Sequence, residues 1–157
     1  GLSGERAPQR SPAARGVFFG LTLAHGRAHL IRAVLEGVMV QLAGVARLLQ
    51  AAGLPLTGVR ANGGAVRSEV WRRIMADAFG LPIARTDTEE ASALGAALLG
   101  MVALGWKASL EEAAAGIRVA EEVHPSPGAA QSATERAREF ERLTGVLDPL
   151  FEALSRG

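Results

Sequence analysis

The residues best placed to do chemistry lie in Val59–Met75, VRANGGAVRSEVWRRIM. A short apolar run ends in Asn62-Gly63-Gly64, and Ser68, a good helix N-cap, opens an amphipathic helix four residues after the second glycine. A strand, a glycine turn and a helix start can aim backbone N–H groups at an anion or at the flat edge of a ligand. The same pattern also serves as a plain tight turn, and it matches neither the G-x-G-x-x-G nor the G-x-x-x-x-G-K-[ST] fingerprint. Ser68 is most simply a cap, with a ligand contact as an added role.

Other candidates are more readily structural. His25 and His29 stand four apart near the start of a helix, but no third ligand and no H-E-x-x-H accompany them, so capping or packing is the simpler reading. Asp77 reads as a surface carboxylate or an ion-pair partner of Arg73. Glu36, on the flank of an apolar helix, reads as a hydrogen-bonded structural group. Arg72 and Arg73 read as a solvated face. No serine–histidine–acid set and no paired-carboxylate site assembles from these residues.

The elements that would position the glycine turn can be traced along the chain. Pro8 and Pro12 make residues 1–15 an extended lead-in, and Gly16–Leu23 (GVFFGLTL) reads as a short strand or buried turn. Ile31, Val34, Leu35, Val38, Leu42, Val45 and Leu49 recur at helical spacing, which predicts one helix over Arg27–Ala52 stopped by Gly53. Gly37 and Gly44 within it suit close approach of another backbone. Thr57–Ala61 is a strand leading into the turn. Glu69–Phe79 is a helix carrying Val70, Ile74 and Phe79 on one side, closed by Gly80 and Pro82. Ile83–Arg85 is a second strand.

Asp87 or Thr88, followed by Glu89 and Glu90, then opens a helix to about Leu104 whose small residues, Ser92, Gly95, Ala96 and Gly100, predict burial. Ser109-x-x-Glu112 caps a short helix, Glu121–Ala130 reads as a loop, and Ser132-x-x-Glu135 opens a last helix. That helix has Phe140, Leu143, Leu147, Leu150 and Leu154 on its apolar side and Pro149 as a kink. The result is an α/β chain with many apolar helices and a small, incomplete sheet of two strands plus one or two early ones. The mismatch predicts a fragment whose missing strands precede Gly1.

Composition narrows the class. With 157 residues, 48% of them apolar and only 4% aromatic, the chain can form one domain with helices packed on a sheet. Its 17 Lys and Arg against 16 Asp and Glu give no basic stripe for nucleic acid. The lack of cysteine removes disulfides, thiol nucleophiles and thiolate metal sites, and fits a reducing cytoplasm. The longest uncharged run, Ala91–Trp106, is shorter than the roughly 20 residues a membrane span needs, so a soluble chain with no membrane role is expected.

Several ordered motifs resemble the FGGY carbohydrate kinases. Gly16-x-Phe18-x-Gly20-Leu21, then seven residues, then His29-Leu30-x-x-Ala33-Val34-Leu35-Glu36 is similar to the family's second signature. Leu2–Pro8 and Ala14-Arg15-Gly16 resemble the run before it, with Arg10-Ser11 where a Trp-Asp pair is common. Asn62-Gly63-Gly64-Ala65-x-x-Ser68 and Ala93-Leu94-Gly95-Ala96-Ala97 resemble the family's adenosine loop and the helix behind it. Within the family, Val17–Leu21, Ile31–Val38 and Arg67–Arg72 look most like gluconokinases, then xylulokinases, with glycerol kinases further off.

The resemblance implies a partial actin-like, ribonuclease-H-like domain. It implies residues 16–157 as the second, nucleotide-side domain, following the lead-in 1–15. It also implies that Gly63 and Gly64 lie beside the adenosine and α-phosphate of ATP, with Ser68 as the adjacent polar contact, where glycerol kinases carry Asn. The catalytic aspartate, the Mg ligands and nearly all sugar contacts would belong to an N-terminal domain that the chain lacks, leaving no catalytic or metal residue here. The implied partners are ATP or ADP, that missing domain, and a sugar or sugar acid, gluconate or xylulose first. The competing expectation is a non-catalytic module that dimerises through apolar surface left open on the long helix and sheet edge.

Overall fold

The computed structural model describes residues 11–88 and 90–155. The elements run α1 (Arg27–Ala51), β1 (Val59–Ala61), a 3₁₀ turn (Gly64–Arg67), α2 (Glu69–Phe79), β2 (Ile83–Thr86), α3 (Ala91–Ala103), α4 (Leu110–Ala114), β3 (Val119–Val123) and α5 (Ala129–Ser155). The sheet has the order β1-β2-β3. β1 and β2 are parallel, with Val59 opposite Ile83 and Ala61 opposite Arg85, so α2 is the crossover of a βαβ unit. β3 runs antiparallel to β2, pairing Val123 with Ile83 and Glu121 with Arg85, with an irregularity between Arg85 and Thr86.

The core lies between α1, α2 and the sheet. Met39, Val66, Ile74, Met75, Ala76, Ala78 and Ile83 form one buried cluster, with Leu35, Trp71, Phe79 and Val123 packed at its edge. Local rules explain the frame of α2. Ser68 accepts a hydrogen bond from the Trp71 N–H at 3.3 Å, Glu69 sits in the first turn, and Gly80 closes the helix in the left-handed conformation at φ 63°. The C-terminus of α1 closes similarly, on Gly53 at φ 85°.

Several expectations are corrected. The third strand is not early: residues 16–24 have no regular structure, and Val17, Phe18, Phe19, Leu21 and Leu23 are exposed, since no described strand lies beside them. It is β3, in a stretch read mostly as loop, and its backbone is satisfied by β2. On α1 the buried residues are Met39, Val40, Ala43, Gly44 and Ala46, whereas Ile31, Val34, Val38 and Leu42 are exposed. Gly37 is not packed against another backbone, because a Cβ there would meet nothing within 4 Å.

On α2, Val70 is exposed and Arg72 is buried in its stead. No residue of α3 is buried; among the described residues its chief neighbour is α4, so its small-residue face presses on no sheet. Its N-cap is Glu90, without a side-chain cap bond, because Asp87 extends the sheet by donating its N–H to the Arg118 carbonyl; Glu89 lies outside the described residues. α5 begins at Ala129 after Gly128 at φ 77°, so Ser132 is inside the helix, and it buries Ala129, Ala133, Ala137 and Phe151 while Leu150 and Leu154 stay exposed. The lead-in falls outside the described residues up to Arg10; beyond it, Ser11 is buried and donates to Asp148 of α5 at 2.9 Å.

α1 is, by length and composition, long and apolar enough to cross a membrane, with 25 residues and a mean hydropathy of 1.4 over its most apolar window. A scan for uncharged runs overlooks it because Arg32 and Glu36 interrupt the sequence. Those two form an ion pair at 2.7 Å, Arg136 of α5 approaches the same carboxylate, and Met39 reaches the core of the βαβ unit.

Candidate functional site

An open cleft of about 370 Å³ lies beyond the C-terminal ends of β1 and β2. Asn62, Gly63, Gly64, Val66 and Arg67 form one wall, and Arg85, Thr86, Thr88, Glu90, Ala91 and Ser92 the other. The carboxyl ends of parallel strands are where open α/β sheets place their ligands, because the chain turns away there and leaves a crevice with free backbone groups. The lining is polar, with arginines on both walls.

The glycine loop is built in three steps. β1 delivers Asn62, whose side-chain oxygen accepts a hydrogen bond from Thr86 Oγ1 at 2.6 Å, tying the loop to the end of β2. Gly63 then takes φ 88° and ψ −169°, a region essentially reserved for glycine. The 3₁₀ turn follows, and its Val66 side chain, 4% exposed, anchors the loop in the core. Gly64 differs from Gly63: its φ is not positive, and a Cβ there would meet nothing within 4 Å. The fold does not demand a glycine at 64. A ligand drawn close to the backbone would.

Across the cleft, α3 presents its first turn. Among the described residues its earliest helical backbone bond runs from the Leu94 N–H to the Glu90 carbonyl at 2.9 Å, so the N–H groups of Ala91 and Ser92 have no helical acceptor there. The helix end contributes a partial positive charge beside Arg85, the combination that accepts phosphate oxygens. Arg85 Nε lies 3.8 Å from Glu121 Oε2, an ion-pair contact too long for a hydrogen bond, so this buried donor has no hydrogen-bond partner among the described residues. The other oxygen of Glu121 accepts from Arg72 Nη2 at 2.8 Å.

Of the residues singled out in the sequence, Gly63 and Gly64 line the cleft. Ser68 is not among its lining residues and serves as the N-cap of α2. His25 and His29 stand edge to face with ring centroids 5.5 Å apart, and each Nδ1 accepts a backbone N–H, from Thr22 and Gly26 respectively. His29 thereby caps α1, whereas His25 braces the turn that precedes it. No group of three or more His, Asp and Glu residues is placed to hold a metal ion among the described residues. Asp77 does not pair with Arg73; it accepts the Ser126 N–H at 2.8 Å, and Arg73 pairs with Glu69 at 2.8 Å. Arg72 is buried and bonded, whereas a solvated face was expected.

The residues overlooked are Arg85, Thr86, Thr88, Glu90 and Ser92. Arg85 and Thr86 end a strand parallel to the one feeding the glycine turn, and that position alone marks them as ligand-side residues.

Comparison with known proteins agrees with this arrangement. Residues 1–104 match the model of the C-terminal domain of the FGGY family of carbohydrate kinases. The gluconokinase of Bacillus subtilis (strain 168) is 47% identical over 105 residues, 66% of this chain and 20% of that protein. The xylulose kinase of Escherichia coli (strain K12) is 40% identical over 150 residues, 95% of this chain and 31% of that protein. The crystal structure of gluconate kinase from Lactobacillus acidophilus superposes with a TM-score of 0.87 at 27% identity, covering 98% of this chain and 31% of the other. The chain thus spans between 20% and 31% of the lengths of these relatives. Its helix-rich architecture with a small three-stranded sheet is part of the actin-like ATPase fold of those kinases, and the chain belongs to the FGGY family of carbohydrate kinases, by its C-terminal domain.

Proposed function

We propose that this chain is the nucleotide-side part of an ATP-dependent carbohydrate kinase that phosphorylates a hydroxyl of a sugar or sugar acid, with gluconate or xylulose the leading acceptors. The observation that carries the reading is the pairing of a C-terminal carbohydrate-kinase match with a polar cleft built on a glycine loop at the ends of parallel strands. In this reading Gly63 and Gly64 let the adenosine and α-phosphate of ATP approach the backbone. Arg85 and the first turn of α3 supply positive charge.

Ser68 is the adjacent polar contact. As a cap its oxygen accepts from the Trp71 N–H, so its own proton is available to a ligand. Residues 1–15 lead into this domain, and 16–157 belong to it. Phosphoryl transfer is achieved largely by positioning and charge neutralisation; Mg, when bound with the nucleotide, would neutralise phosphate charge, and a carboxylate would accept the hydroxyl proton. The carboxylate, the Mg ligands and most acceptor contacts are assigned to another domain of the full protein. The 157-residue chain alone is therefore inactive. Assaying gluconate and xylulose phosphorylation by the isolated chain and by the full-length protein tests this: turnover only in the full-length protein is expected, and turnover by the isolated chain overturns the division of labour.

One observation favours a second reading, a module that self-associates. Ile31, Val34, Val38 and Leu42 form an exposed apolar stripe on α1. Sedimentation with and without ATP separates the two: a tight dimer indifferent to ATP supports the module, and a nucleotide-responsive species supports the kinase.

A further inference from the structure

Arg72 is an odd residue to bury. It is only 8% exposed on the inner face of α2, where an apolar side chain would pack at lower desolvation cost. Its guanidinium bonds two other elements directly and meets a third through Glu121. Nη1 donates to the carbonyl of Val66, in the 3₁₀ turn that continues the glycine loop, and Nη2 donates to Glu121 Oε1 on β3 at 2.8 Å. The second oxygen of that carboxylate faces Arg85 Nε on β2 at 3.8 Å. Val66 and Arg85 belong to opposite walls of the cleft, whereas neither Arg72 nor Glu121 lines it. The buried fork thus ties the glycine loop to β3 by two hydrogen bonds, and the carboxylate it holds lies in ion-pair range of the cationic wall, a geometry that a lysine ammonium cannot reproduce.

We infer that Arg72 is a positioning residue for nucleotide binding: with Glu121 it holds the Val66 carbonyl and the Arg85 side chain so that the two walls of the cleft accept the nucleotide together. The inference rests on the reading of Gly63-Gly64 as the nucleotide loop. A residue that only presets the binding geometry, away from the transferred phosphoryl group, changes ground-state and transition-state binding alike, so its loss raises KM for ATP and leaves kcat in place. A residue that only supports folding does the reverse, lowering the active fraction at constant KM.

The test is steady-state kinetics and thermal melting of the full-length protein carrying Arg72→Lys, Arg72→Met or Glu121→Gln, with Gly64→Val in parallel. The expected result for Arg72→Lys is an ATP KM raised on the order of tenfold, with kcat and the acceptor KM within about twofold of the parent. Arg72→Met exceeds that effect. Glu121 is about two-fifths exposed, so Glu121→Gln folds even where Arg72→Met does not, and it raises the ATP KM severalfold by freeing Arg85. An unchanged ATP KM in Arg72→Lys and Glu121→Gln, beside a raised one in Gly64→Val, overturns the role of Arg72 alone. A fall in kcat at constant KM does the same. An unchanged ATP KM in Gly64→Val overturns the nucleotide-loop reading itself, and this inference with it.

Discussion

Gly63 and Gly64 are neighbours in sequence with opposite physical reasons for lacking a side chain, and substituting each in turn separates fold from function. Gly63 sits at φ 88° and ψ −169°, where an L-residue is strained by about 1–3 kcal/mol. For a chain of this size each kcal/mol moves the melting midpoint by roughly 2–4 °C, so Gly63→Ala lowers it by about 2–12 °C. Gly64 has an ordinary backbone and open space where a Cβ would stand. Gly64→Ala restricts the unfolded chain without clash, and stabilises by about 0.4–1 kcal/mol, or roughly 1–4 °C. In the proposed reading Gly64→Val places bulk where the nucleotide approaches the protein backbone, and weakens ADP binding by at least about tenfold, equivalent to roughly 1.4 kcal/mol. Melting by circular dichroism and ADP titration read the two effects separately. The reasoning is refuted if Gly64→Ala destabilises as much as Gly63→Ala, or if Gly64→Val binds ADP as the parent does.

Further substitutions probe the supports of the loop. Ser68→Ala removes the cap of α2, costing about 1 kcal/mol, and raises the ATP KM of the full-length protein severalfold; Ser68→Asn, which caps equally well, keeps both values near the parent. Thr86→Val breaks the bond to Asn62 and lowers stability by about 0.5–1.5 kcal/mol in denaturant titration, with weaker ADP binding. Met39→Ala empties part of the core under the cleft and costs about 2–5 kcal/mol in the same titration. The backbone N–H of Ala108 and then Lys107 hold the Glu112 carboxyl below the usual carboxylate range. The folded pKa is depressed, so the stabilisation is present above the ordinary carboxylate pKa and is lost as pH falls through the folded value. Amide-exchange protection of α4 should fall on acidification through that window, and Glu112→Gln should flatten the dependence.

What the sequence disclosed and what it hid follow from the range of the forces involved. The bounds of α2 were readable because Ser68, Glu69 and Gly80 act on backbone within a few residues of themselves. The glycine turn was readable for the same reason. The buried face of α1 was not: its apolar residues wrap much of the helix, and periodicity does not say which side the rest of the chain covers. Ile31, Val34, Val38 and Leu42 have the regular spacing, yet Met39, Val40 and Ala43 are the ones buried. β3 was hidden because Glu121 and Glu122 break the apolar run that marks a strand, while the pairing that creates it comes from β2, some 35 residues earlier. Half the cleft escaped notice for a related reason. Arg85, Thr86 and Ser92 have no local signature and become site residues only when the parallel pairing of β1 and β2 sets them opposite Gly64. The inward turn of Arg72 likewise depends on Glu121, far along the chain.

The central claim is that the cleft between the glycine loop and the first turn of α3 takes a nucleotide. Titrating the ¹⁵N-labelled chain with ADP and following its amide signals tests it directly, even at low affinity. The account predicts shifts at Gly63, Gly64 and Ala65 together with Thr86, Thr88, Ala91 and Ser92, and quiet signals along α1 and α5. Shifts that spare the glycine loop, or that gather on the exposed stripe of α1, would contradict it.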